Sequence, residues 1–397
     1  MDRVVSSCLE IAGRKIGAGH PCFVIAEAGV NHNGRLRIAK KLVDVAVEAK
    51  ADAVKFQTFK TEKLVSVAGK SQREMLKRLE LSEEAHGELW DYCKKRRILF
   101  LSTPFEEESA DFLEQLGVSA FKISSGELTN LPFLAHLARK GRPLILSTGM
   151  SVLEEVREAV EVIRREGNDQ LALLHCVSSY PAQPSEANLR VIHTLQKVFE
   201  VPVGYSDHTM GIEVALAAVA LGACVIEKHV TLNRRLPGPD HHASLEPLEL
   251  KALVRGIRAV EPALGDGRKE PAPSERPTAA VARKSLVALK TIAAGSQLTP
   301  DLVAIQRPGT GLPPMMLPRV LGRSAACDIP AGTPLTEEML GRRSVSPYWR
   351  PRRVDGRKHL HPAVRRAERG KARSSGRATA QREADPEASL RVAGGGA

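Results

Sequence analysis

The stretch LILSTGMSVLEEVREAVEVIRREGNDQLALLHC, residues 144–176, reads as a strand, a helix and a second strand. LILST (144–148) and LALLHC (171–176) are short apolar runs with the length of strands buried on both faces. Between them, LEEVREAVEVIRREG (153–167) places apolar residues at i, i+3, i+4 and i+7, the stripe of an amphipathic helix, and Gly167 supplies its stop. Strand, helix and strand in that order make a βαβ unit. The pattern recurs on both sides of it. Upstream lie CFVIAE (22–27), AVKFQT (53–58), LFLSTP (99–104) and AFKISS (120–125); downstream lie VGYSD (203–207) and VIEKHV (225–230). RIAKKLVDVAVEAKA (37–51) carries the same helical stripe. Eight such runs, starting 21 to 46 residues apart, predict an α/β fold of the (β/α)8 TIM barrel type. A doubly wound open sheet is the competing architecture, but it needs fewer strands and a Gly-rich first turn.

The barrel is expected over 1–264. GDGRKEPAPSERPT (265–278), rich in Pro, Gly and charge, opens a linker expected over 265–281. Residues 282–343 alternate short β-type runs with Ala-Gly, Pro-Gly and Gly-Leu-Pro turns and read as a small β-rich module. The 397 residues are 43% hydrophobic and 26% charged, enough to bury a large core. The formal charge of +12 is unevenly spread: residues 341–397 hold 15 of the 58 Lys and Arg but 5 of the 46 Asp and Glu. The body is therefore nearly neutral, and a polyanion-binding reading rests on the tail alone. That tail, 344–397, is Arg-, Ala-, Gly- and Ser-rich without hydrophobic period and is expected to be disordered and basic. Six scattered cysteines without paired spacing suit a reduced, cytoplasmic protein. No run approaches the roughly 18 apolar residues that cross a bilayer, and the first thirty residues lack the apolar centre of a leader, so no membrane association is expected.

In a barrel of this type the active site is built at the carboxyl ends of the strands. Here those ends carry Glu27, Lys55 with Gln57, Ser102 with Thr103, Lys122 with Ser124 and Ser125, Ser147 with Thr148, His175, Ser206 with Asp207 and His208, and Glu227 with Lys228 and His229. Lysines among small hydroxyls suit a small anion that carries phosphate beside carboxylate. His208 and His229, at the ends of neighbouring strands, suit one divalent metal with open positions or two hydrogen-bonding rim imidazoles. Gly126 is expected to let the backbone approach the anion, with Glu127 next to it as a general acid or base, or as a carboxylate favoured by a helix N-terminus. Lys122 and Lys228 are also suited to Schiff-base chemistry in a metal-independent aldolase or lyase.

Ten segments spell out a known pattern in order: IAEAGVNHNG (25–34), VKFQT (54–58), STPF (102–105), KISSGE (122–127), LSTGM (146–150), SSYPA (178–182), YSDHT (205–209), IEKHVTL (226–232), GPDHHASLEP (238–247) and QRPGTG (306–311). On these motifs the chain resembles the sialic acid synthase family, the N-acetylneuraminate and related nonulosonic acid synthases, from residue 22 to about 340. The resemblance implies condensation of phosphoenolpyruvate with an N-acetylmannosamine-type sugar, with phosphate leaving by C–O cleavage and a divalent metal, Mn, Mg or Co, as cofactor. It implies that 282–343 is an antifreeze-like (SAF) domain that reaches over the barrel mouth of the other chain in a domain-swapped homodimer. Residue by residue it implies His208 and His229 as metal ligands, and Lys55, Lys122, Thr103, Ser125, Ser147 and Ser206 as phosphoenolpyruvate contacts. Glu27, Gln57, Tyr180 and Asp240, with Arg307 of the partner subunit, resemble the sugar contacts. Glu127 is expected to steer protons, with Lys55 and Lys122 fixing the anion. Ser178 stands where some bacterial N-acetylneuraminate synthases carry Asn, and His241-His242-Ala243 is nearer to legionaminic-type relatives, so the pattern leaves the acceptor sugar open. A Schiff-base enzyme and a non-catalytic sugar-binding barrel docked by its tail are the other readings.

Overall fold

In the computed structural model the described residues are 8–343, and they form two compact units that divide between Arg268 and Lys269. The expectation for the tail, 344–397, lies outside the described residues.

The first unit opens with a hairpin of β1 (Leu9–Ile11) and β2 (Arg14–Ile16). Eight strands follow: β3 (Phe23–Gly29), β4 (Ala53–Thr58), β5 (Leu99–Pro104), β6 (Phe121–Ile123), β7 (Leu144–Ser147), β8 (Leu171–Cys176), β9 (Val203–Asp207) and β10 (Val225–His229). They make one parallel sheet in the order β5-β4-β3-β10-β9-β8-β7-β6, so strands adjacent in sequence pair, except β5 with β6, and β3 pairs with β10. The two ends of that order, β5 and β6, lie against each other, and the sheet curls into the expected (β/α)8 barrel. All eight strands stand where the apolar runs put them.

The period of two along each strand sorts side chains into two layers. Phe23, Ile25, Ala53, Leu101, Ala120, Ile145, Ala172, Leu174 and Val225 fill the barrel interior. Val24, Val54, Phe100, Phe121, Leu146, Leu173, Val203 and Ile226 face outward and pack with helices such as Leu36–Glu48 and Leu153–Arg165. Both faces being buried, the strands read as continuous apolar runs. Gly167, just past the helix Leu153–Arg165, has φ +82°, the left-handed stop its position called for.

The hairpin is absent from the sequence reading. Leu9, Ile11 and Ile16 join the inner cluster and plug the amino-terminal end of the barrel. Arg14 secures the plug through Asp52 at 2.6 Å, and Asp52 also accepts from the Val24 N–H at 2.7 Å and pairs with Arg258 at 3.0 Å. The barrel is thereby sealed at one end and open at the other, where the polar strand ends lie.

The span 265–281, read as linker, contains a 3-10 turn, Pro273–Glu275, and the helix Arg276–Ala282 begins within it. Proline near the first helical position and the Glu275 carboxylate taking the Ala272 N–H at 2.8 Å account for this local order. In the second unit β11 (Ser285–Ala288) pairs with β12 (Val303–Gln306) and β13 (Arg323–Ala325) with β14 (Leu340–Arg343), all antiparallel. Leu286, Ile292, Leu298, Val320, Ile329 and Leu335 form its separate core.

Candidate active site

The same two-residue period decides which strand-end groups enter the lumen. Glu27, Lys55, Gln57, Thr103, Lys122, Ser147, Ser206, Glu227 and His229 share the register of the inward core residues. The polar residues between them turn the other way. Thr58 and Ser102 hydrogen bond to each other at 2.6 Å, and His175 Nε2 lies 2.8 Å from the Ala187 carbonyl. Lys228 is paired with Asp207 at 2.6 Å, both fully buried. The rim is thus less crowded than a count of polar strand ends suggested. The Schiff-base role considered for Lys228 is corrected here, because its ammonium points into the layer behind the sheet.

At the centre, four charged side chains at most 5% exposed face one another. Lys55 Nζ lies 2.7 Å from Glu27 Oε2 and 3.9 Å from Glu227 Oε2, and donates to Thr103 Oγ1 at 3.0 Å. Lys122 Nζ donates to Ser147 Oγ at 2.6 Å and to the Ile123 carbonyl at 3.0 Å, and lies 3.6 Å from Glu227 Oε1. Ser206 donates to Glu227 at 2.9 Å, and Gln57 to Glu27 at 3.4 Å. Glu227, to which sequence reasoning gave no role, is the hinge of the cluster. Its signal was the period that joins it to Val225 and His229 on β10.

Burial dominates the electrostatics. It pushes the Glu27 carboxyl up to about 7 in spite of Lys55, and the Asp240 carboxyl up to about 6. Burial also pushes Glu227 upward, but Lys122 and Lys55 outweigh it and hold that carboxyl below its ordinary range. Burial disfavours the charge on Lys55, yet Glu227 and Glu27 leave its pKa raised; Lys122, less well compensated, is lowered.

The two histidines sit together at the mouth, ring centroids 5.4 Å apart, with Tyr180 tilted over His208 at 4.1 Å and edge-on to His229 at 5.5 Å. His208 Nδ1 is 2.6 Å from the Val177 carbonyl, which can only accept, so Nδ1 carries the proton and the Nε2 lone pair is free. His229 Nδ1 is buried without a hydrogen-bond partner, 3.8 Å from Asp240 Oδ2. Burial lowers both pKa values and keeps the rings neutral. Two neutral imidazoles with unspent lone pairs fit a divalent ion. Among the described residues no group of three His, Cys, Asp or Glu converges as a ligand set, so the pair supplies part of a coordination sphere.

Two glycines shape the walls. At Gly29 (φ +50°) a Cβ would stand 3.1 Å from Glu27 Oε1, 3.4 Å from Gln57 Nε2 and 3.6 Å from Asp240 Oδ2, which marks the point where these three meet. At Gly149 a Cβ would stand 2.8 Å from Cys176 Sγ and 2.9 Å from Ser125 Oγ, and the Gly149 N–H donates to Ser125 Oγ at 2.9 Å. The crowded glycine of this wall is thus Gly149; Gly126, expected to let the backbone approach the anion, is exposed, and a Cβ there would come no nearer than 3.7 Å to Ser124 Oγ. Glu127 lies on the 3-10 turn Ser125–Glu127 at the outer edge, half-buried, and accepts from Asn130 at 2.7 Å, without an ion pair to the central lysines. Arg307 belongs to the second unit, where it is exposed and precedes a cis peptide bond to Pro308. A groove of about 880 Å³ lies at the sealed end of the barrel, lined by residues such as His20, Lys197 and Glu261, and contains none of the lumen groups.

Comparison with known proteins assigns this architecture. The NeuB family profile matches residues 42–269, and that of the SAF domain residues 283–341. The chain belongs to the NeuB family. It is 48% identical over 339 residues to the N,N'-diacetyllegionaminic acid synthase of Legionella pneumophila, covering 81% of this chain and 95% of the relative. It is 39% identical over 340 residues to the N-acetylneuraminate-9-phosphate synthase of Mus musculus, covering 82% and 94%. Among solved structures, the N-acetylneuraminic acid (sialic acid) synthetase of Leptospira borgpetersenii in complex with citrate is 40% identical with a TM-score of 0.66, covering 69% of this chain and 95% of that one. The spore coat polysaccharide biosynthesis protein SpsE of Bacillus subtilis is 38% identical with a TM-score of 0.60, covering 85% and 100%. This NeuB family chain thus spans nearly the whole of each.

The charge balance of the lumen yields a stability prediction. Lys55→Met leaves Glu27 without its ammonium partner, and breaking a buried pair in this way is expected to cost up to about 3–5 kcal/mol above pH 7, where the carboxylate is charged. Adding Glu27→Leu should restore most of the loss. Urea unfolding of the two variants checks this; equal destabilisation in both would contradict it.

Proposed function

We propose that the protein is a nonulosonic acid synthase that joins phosphoenolpyruvate to an open-chain N-acetylmannosamine-type sugar and releases inorganic phosphate. The observation that carries this reading is the buried lysine–glutamate cluster at the mouth of a barrel of this family. Phosphoenolpyruvate brings a carboxylate and a phosphate into a site where two ammonium groups stand among the hydroxyls of Thr103, Ser125, Ser147 and Ser206. These donors are oriented before the substrate arrives, so little reorganisation accompanies the reaction. Lys122, with its ammonium spent on Ser147 and the Ile123 carbonyl, suits an anion-holding cation better than a nucleophile.

In this reading C3 of phosphoenolpyruvate forms a bond to the sugar aldehyde carbon, and the aldehyde oxygen takes up a proton. C2 becomes electron-poor, water adds there and gives up one proton, and the C2–O bond to phosphate breaks as the new hydroxyl passes its remaining proton to the departing phosphate, leaving a ketone. Lys55 and Lys122 hold the carboxylate and phosphate in line for these steps. Glu27, Gln57, Tyr180 and Asp240 flank the sugar side, with Arg307 of the partner subunit completing it in a domain-swapped homodimer. Glu127, at the edge of the mouth beside Ser125, is assigned the proton transfers. His208 and His229 would hold a divalent ion, Mn, Mg or Co, which supplies Lewis acidity toward the sugar carbonyl. The preferred acceptor is a 2,4-diacetamido-trideoxy sugar, a choice supported by relatives at 48% and 47% identity that are N,N'-diacetyllegionaminic acid synthases. The protein is placed in the cytoplasm, where phosphoenolpyruvate is made; among the described residues no helix is long and apolar enough to cross a membrane.

Phosphate release from phosphoenolpyruvate is expected with the 2,4-diacetamido-trideoxy sugar, more weakly with N-acetylmannosamine or its 6-phosphate, and not after EDTA treatment. Light scattering should give twice the chain mass. Release without any sugar, or unaffected by chelation, would overturn the reading. Glu127→Gln should retain phosphoenolpyruvate binding by calorimetry and lose turnover; near-normal turnover would remove Glu127 from the mechanism.

A further inference from the structure

The ladder between β9 and β10 runs as far as the partners Asp207 and Lys228. His208 is the next residue after Asp207, and His229 the next after Lys228. At the point where backbone pairing stops, side chains take over. Lys228 Nζ donates to Asp207 Oδ2 at 2.6 Å and to the Thr209 carbonyl at 2.6 Å. Asp207 Oδ1 accepts from the Thr209 N–H at 2.9 Å and from its hydroxyl at 2.8 Å. One ammonium group therefore grips the residues on both sides of His208 from a backbone position adjacent to His229. The Lys228 and Asp207 side chains are both 0% exposed and face away from the lumen, and neither is itself a proposed substrate contact.

Stability alone does not account for this pair. A buried ion pair is commonly matched or bettered by apolar residues of similar volume, since desolvation offsets most of its attraction. What apolar residues would not supply is direction: four hydrogen bonds within or onto the three-residue segment that carries His208. We propose that the Lys228–Asp207 pair is a positioning device that sets the spacing and orientation of His208 and His229 and thereby the affinity of the site for a divalent ion. This rests on the reading of those two histidines as ligands. The neighbouring support of a metal ligand typically changes affinity by about 10- to 100-fold.

The test is calorimetric titration of MnCl2 into the full-length, metal-free protein and into the Lys228→Met/Asp207→Leu double variant, which removes both charges together. Circular dichroism at the titration temperature establishes that each is folded. The expected result is an Mn²⁺ dissociation constant weakened by about 10-fold or more, with phosphoenolpyruvate affinity within twofold of the parent. Arg258→Met, which disturbs the Asp52 pairing at the sealed end of the barrel, should lower the melting temperature and leave Mn²⁺ affinity unchanged. A folded double variant that binds Mn²⁺ within twofold of the parent overturns the positioning role alone. If the double variant does not fold, Asp207→Asn is read in the same way. Absence of Mn²⁺ binding by the parent overturns the ligand reading of the histidines, and the positioning role with it.

Discussion

Charges taken out of water must find partners, and in this barrel Lys55, Lys122, Glu27 and Glu227 find one another. The surrounding architecture serves that requirement. Apolar residues at the amino-terminal half of each strand and the plug of Leu9, Ile11 and Ile16 close the floor beneath the cluster. Hydroxyls at the strand ends take up the remaining donors. The result is a polar chamber of two lysines and two glutamates, whose donors a small anion can recruit without unfolding anything around them.

The strand period gives each end two duties. Inward residues of β9 and β10 supply Ser206, Glu227 and His229 to the chamber, while the outward residues Asp207 and Lys228 tie the two strands together behind it. Chemistry and posture are thus separated by one residue along the chain. This economy explains why both faces of the strand ends are polar although only one of them faces the lumen.

Much of the barrel was legible because strands buried on both faces leave apolar runs of recognisable length. The hairpin was not, since three-residue strands carry too few periods to stand out from a polar N-terminal segment. The helix Arg276–Ala282 was hidden by prolines that, at its first turn, favour helix rather than break it. For the site, the motifs located Lys55, Lys122, Ser147 and the histidine pair. The importance of Glu227, and the removal of Lys228, Ser102 and His175 from the lumen, required knowing which way each strand faces. The crowding at Gly149 likewise depends on where Cys176 and Ser125, far apart in sequence, come to lie, 3.1 Å from each other.

The most direct test of the account is the fate of the oxygen that bridges carbon and phosphorus in the substrate. Phosphoenolpyruvate labelled with ¹⁸O at that position, turned over with the acceptor sugar, should deliver the label to inorganic phosphate, read as an isotope shift in ³¹P NMR. Label retained on C2 of the product would mean that the P–O bond breaks, and would contradict the chemistry assigned to this lumen.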